Sequence, residues 1–80
     1  MSTYDAYAEA REIAKRIDLE GFSDHAEKIR NAIDHGQSGT EIFMQLRFYL
    51  TQLQDNIGID PATLDRINTL VGKINVALAR

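Results

Sequence analysis

Two histidines, the serines Ser23 and Ser38 and a few acid–base neighbours are the groups in this chain that chemistry could use. His25 and His35 stand ten residues apart. Imidazoles that share a metal from one helix face need a one-turn spacing, and no carboxylate pattern here supplies further ligands. Asp24 with His25 and Asp34 with His35 are sequence neighbours, which on a helix do not face each other. Ser23 and Ser38 have no triad signature, and helix capping explains both. The run Gly36-Gln37-Ser38-Gly39-Thr40 precedes a helix start, where free N–H groups can hold an anion. A phosphate loop also needs a preceding strand and a lysine before the Ser/Thr; neither is present. The sequence therefore assigns no catalytic, cofactor or metal residue. A small enzyme or ligand-binding domain built on His25, Tyr49 or nearby acids is the competing reading, and it requires a deep polar pocket around them.

The positioning elements must come from 80 residues, of which 44% are hydrophobic and 26% charged. That composition fits one globular domain and argues against a disordered tail. Cysteine is absent, which excludes disulfides and thiolate metal sites and agrees with a cytoplasmic chain. No apolar run approaches membrane-spanning length, and no secretory leader pattern opens the chain. Nine basic against twelve acidic residues give a net charge of −3. Residues 1–36 hold eight acids and five bases, residues 37–80 four of each. Arg11, Lys15 and Arg16 form the densest basic spot, but Glu9, Glu12 and Asp18 surround it, so no phosphate-binding stripe emerges. A helix-turn-helix laid over Ile29 to Arg47 would present Glu41, Phe43 and Gln45 as reading residues, a poor set for DNA.

Four segments carry a helical period, and none alternates as a strand does. The first runs from about Thr3 to Glu20, with Ala6, Ala10, Ile13, Ala14 and Ile17 on one face. Gly21 suits the left-handed position that stops it, with Phe22 folding back onto Ile17. Ser23 is expected to cap a second helix from about Asp24 to His35, closed by Gly36, with a thin face of Ala26, Ile29, Ala32 and Ile33. Ser38 and Glu41 match a capping box, with Thr40 as an alternative cap. The third helix, about Gly39 to Ile57, has a wide stripe of Ile42, Phe43, Leu46, Tyr49, Leu50, Leu53 and Ile57, ended by Gly58. Asp60-Pro61 starts the fourth, with Ile59 and Leu64 at staple spacing. It continues through Ile67, Leu70, Val71, Ile74 and Leu78, with Gly72 on its opposite face. Short loops make successive helices antiparallel neighbours. The expected fold is all-α, a four-helix antiparallel bundle, with two stacked helical hairpins as the alternative.

One feature breaks the one-face rule. Met44 and Phe48, four residues apart, point roughly 160° from the centre of the third helix's stripe. Thr51 and Asp55 continue that rear face and Arg47 flanks it. Either this helix is central and its neighbours cover both flanks, or the rear face meets another chain. Two large apolar groups beside an arginine have the composition of interface anchors. Met44, Arg47, Phe48, Thr51 and Asp55 are therefore the candidate partner-binding residues of a non-enzymatic interaction module. Its partner would be another protein or a second copy of the chain, with no cofactor, nucleic acid or membrane. Tyr4 and Leu19 also leave their stripes, near helix ends where loops should cover them; Val76 reads as a lone surface valine.

Ala26-Glu27-Lys28-Ile29-Arg30-Asn31-Ala32-Ile33, then Gly36, Gly39-Thr40-Glu41-Ile42 and Leu46-Arg47, resembles short bacterial helical proteins of unassigned function. The resemblance covers about a quarter of the chain. It implies a bacterial origin and carries no activity or site residues.

Overall fold

The computed structural model describes residues 4–79. Four helices follow in order: α1 (Ala6–Leu19), α2 (Ser23–His35), α3 (Gly39–Gln54) and α4 (Pro61–Leu78). Each packs on its sequence neighbours, and α4 also packs on α1, so the four close a ring around one core. The packing within the hairpins α1–α2 and α3–α4 is the more extensive. The hairpin reading thus describes how the four-helix bundle is assembled.

The core takes residues from all four helices. Ile13, Ile17, Ile29, Leu46, Leu50, Leu53, Ile67, Leu70 and Ile74 are fully buried. Each such side chain contributes about 1.5–3 kcal/mol through burial. Ala10, Ala14, Ala26 and Ala32 lie among them, small enough to let the α1 and α2 backbones approach.

The helix ends follow local chemistry. Asp5 caps α1, accepting from the Ala8 N–H at 3.0 Å; Thr3, where the periodicity suggested a start, lies outside the described residues. At the other end Gly21 has φ +98°. The Phe22 N–H donates to the Ile17 carbonyl at 2.8 Å and the Gly21 N–H to Asp18 at 3.3 Å, the paired bonds of a Schellman stop. This tight turn corrects the expected cap of α2. Phe22 occupies the N-cap with no side-chain cap bond, and Ser23, already helical, donates its hydroxyl to Asp18 Oδ1 at 2.6 Å. Ser38, rather than Thr40, caps α3 by accepting from the Glu41 N–H at 3.1 Å. Glu41 Oε2 in turn accepts from the Gln37 N–H at 3.0 Å.

α3 stops at Gln54, three residues short of the expected Ile57. The Asn56 side chain accepts from the Gly58 N–H at 2.9 Å, a local turn that competes with another helical turn. Ile57 is consequently fully exposed, and the buried position falls to Ile59, 5% exposed. Asp60 caps α4 through the Ala62 N–H at 3.0 Å, with Pro61 in its first turn.

Ring closure has its own polar device. Glu20, expected inside α1, is its C-cap. Its carboxylate accepts from the Asp60 N–H and from the Thr63 hydroxyl, both at 2.8 Å. Arg66 on α4 reaches Glu9 on α1 at 3.0 Å. Leu19, expected under a loop, is exposed.

Two glycines give a paired test. A Cβ on Gly36 would collide with Ile42 Cγ1 and sit 2.7 Å from the Ala32 carbonyl oxygen, whereas one on Gly72 would meet nothing. Gly36→Ala should lose about 1–3 kcal/mol by overpacking, and Gly72→Ala should gain about 1 kcal/mol of helix propensity. Thermal melts followed by circular dichroism should move in opposite directions, by about 4–8 °C per kcal/mol.

Candidate functional site

The inward face of α3 is saturated: Ile42, Leu46, Leu50 and Leu53 are all buried. Residues displaced by about half a turn must then point out of the ring. Met44 is 52% exposed and Phe48 61%. No helix among the described residues covers them, which removes the reading in which α3 is central and wrapped on both flanks.

Neighbouring side chains define the site's edges. Arg47 is half-buried and donates through Nη1 to Asn75 Oδ1 on α4 at 3.1 Å. Beside that bridge lies a groove of about 330 Å³ lined by Thr40, Met44, Arg47, Asn75, Leu78 and Ala79. On the other edge Phe48 meets Tyr49 edge-on, ring centroids 5.3 Å apart, and Lys28 of α2 lies 5.9 Å from the Tyr49 ring. Thr51 turns its hydroxyl into its own helix, donating to the Arg47 and Phe48 carbonyls at 2.8 and 3.1 Å. Asp55 is exposed at the C-cap. Among the described residues its carboxylate has no hydrogen-bond or ion-pair partner.

Met44, Arg47 and Phe48 therefore share one surface, Thr51 extends it, and Asp55 marks its end just past the last helical turn. The sequence reading missed Asn75 and Ala79, on the groove's other wall, because only the α3–α4 crossing brings them to Met44, and it missed Thr40, one turn before Met44 on α3 itself. It also missed Glu41. Positions 41, 44, 48, 51 and 55 are separated by 3, 4, 3 and 4 residues, the spacing of a coiled-coil seam, so that signal was present.

The other groups the sequence singled out have separate surroundings. His25 is half-buried, its Nε2 3.1 Å from Gln52 Oε1, and His35 is exposed at the end of α2. Among the described residues no group of three His, Cys, Asp or Glu side chains is arranged to hold a metal. No helix there is long and apolar enough to cross a membrane. In the Gly36–Thr40 loop Glu41 already accepts the Gln37 N–H, placing a carboxylate where an anion would have to sit. A hollow of about 430 Å³ opens beside Tyr4, Asp5, Ala6, Tyr7 and Phe43, away from His25 and Tyr49. Its one carboxylate, Asp5, is the α1 cap. Lys73 lies 4.5 Å from the Tyr4 ring, and partial burial, with Glu9 nearby, raises the Tyr4 phenol above its usual value.

Comparison with protein-family models, curated proteins and solved structures finds no match.

Two carboxyls with shifted titration, Asp18 and Asp34, belong to the α1–α2 hairpin. The Ser23 hydroxyl and then Arg30 hold Asp18 below its usual value of 3.8, and Arg11 does the same for Asp34. Both pairs are open to solvent. Carboxyls lowered in the folded state stabilise it above about pH 4, and that contribution is lost as pH falls through the lowered values. A Ser23→Ala/Arg11→Gln variant should melt below the wild type near neutral pH and converge with it below about pH 4. Melting curves that stay parallel down to low pH would contradict this assignment.

Proposed function

We propose that this protein is a non-enzymatic helical interaction module, binding a protein partner or a second copy of itself through the outer face of α3. One observation carries the reading: Met44 and Phe48 stand 52% and 61% exposed, one turn apart, on a helix whose inward face is already buried. Isolated surface apolar residues are ordinary. An adjacent Met–Phe pair flanked by a tethered arginine and a groove is the composition found at interface anchors. A small partner-binding domain of this kind acts as an adaptor, an inhibitor or an immunity-like protein. The setting this reading takes is the bacterial cytoplasm, supported by the resemblance of Ala26–Arg47 and by a cysteine-free composition.

A second reading, a small-ligand domain, has the hollow beside Tyr4, Tyr7 and Phe43 in its favour. It lacks a free acid–base pair there, since Asp5 is the α1 cap.

Site-specific photo-cross-linking in the cells that make the protein separates the two. A photoreactive phenylalanine analogue at position 48 should give a discrete protein adduct. The same analogue at Val76, 60% exposed on α4, should not. An empty lane at 48, or equal adducts at both positions, would remove the reading.

A further inference from the structure

The α3 seam has a charge pattern as well as an apolar one. Glu41, Met44, Phe48, Thr51 and Asp55 follow the 3-4 spacing of a helix–helix contact. The line is roughly 21 Å long, at 1.5 Å per residue. Its middle is apolar and both ends are acidic. Glu41 is exposed in the first turn, where a carboxylate suits the helix dipole, and one of its oxygens already accepts the Gln37 N–H. Asp55 is the opposite case. It adds negative charge at the end of α3 that is already negative, and the last turn of α3 holds no basic residue. Among the described residues no side chain pairs with that charge.

A second copy answers this pattern poorly. Parallel seams place Glu41 and Asp55 each beside its own counterpart. Antiparallel seams centred on Phe48 set Glu41 against Asp55 twice. The antiparallel register that interlocks Met44 with the second copy's Phe48 brings the two Arg47 side chains to the same flank. Each arrangement that buries both apolar groups brings like charges together, at a cost in stability, between chains that each carry a net −3.

We infer that the outer seam of α3 receives one amphipathic helix of a basic protein partner, its apolar side chains seated on Met44 and Phe48 and its lysines or arginines at Glu41 and Asp55. This rests on the reading of α3 as the binding face and adds the partner's chemistry to it. The Arg47–Asn75 bridge and the adjoining groove fix the side of the seam nearer α4, so the incoming helix has one apolar wall beyond the seam itself, supplied by Leu78.

The test uses the whole protein and two synthetic helix-forming peptides that match the seam's length. Both carry leucines at 3-4 spacing in the middle; one has lysines at both ends of that face and its twin has glutamates. Isothermal titration should show the lysine-ended peptide binding and its twin binding about tenfold more weakly or worse. Phe48→Ala should abolish binding. Glu41→Gln and Asp55→Asn should each weaken it about two- to fivefold and flatten its salt dependence. Binding of the lysine peptide that survives Phe48→Ala overturns the inference, as does no binding at all. If both peptides bind equally and Phe48→Ala removes both, the basic partner is wrong while α3 remains a binding face. Light scattering that shows a dimer dissociated by Phe48→Glu assigns the seam to a second copy and likewise overturns it.

Discussion

Glu20 reaches from the end of α1 to the beginning of α4, and both of its carboxylate oxygens are engaged there, by the Asp60 N–H and the Thr63 hydroxyl. Thr63 is 1% exposed, so its hydroxyl depends on that acceptor; a buried hydroxyl without one costs about 1–3 kcal/mol. With Arg66 on Glu9 alongside, this contact closes four helices into a ring. Closure has a geometric consequence. Each helix then has two flanking neighbours and one inward face, and its fourth side has no neighbouring helix among the described residues. On α4 that side shows a lone valine. On α3 it shows Met44 and Phe48 together.

The sequence was most legible where local chemistry and hydrophobic period agreed. Gly21 with Phe22, Ser38 with Glu41 and Asp60 with Pro61 each set a helix boundary by its own side-chain or backbone chemistry, and the structure keeps all three. It was less legible where a tertiary partner competed for a local group. Ser23 has the chemistry of a cap, yet Asp18 lies within reach of its hydroxyl and the Schellman turn has already fixed the start of α2. Ile57 continues the α3 period, yet the Asn56–Gly58 turn diverts the chain and Ile59 fills the core instead. Glu20 and Thr63 carry no pattern at all, because they are 43 positions apart and meet only once α4 lies on α1.

The candidate surface divides in the same way. The off-stripe placement of Met44 and Phe48 follows from helical geometry alone, and the period could say only that these two were displaced. Whether a neighbour covered them depended on how four helices close, which the ring decides. Arg47 illustrates the difference. Its position beside the pair was readable, but its tether to Asn75, and the groove that tether borders, belong to the α3–α4 crossing. The same crossing leaves α3 with two apolar registers: an inward one that folds the chain and an outward one, offset by about half a turn, that stays exposed.

That division of α3 is the central claim, and equilibrium unfolding tests it most directly. Urea titrations of the wild type and a Met44→Gln/Phe48→Gln variant, each at two protein concentrations, should give unfolding free energies within about 0.5 kcal/mol of each other, independent of concentration. A loss of about 3 kcal/mol or more, the size expected when buried core side chains are truncated, would place both residues in the service of the fold and contradict the account.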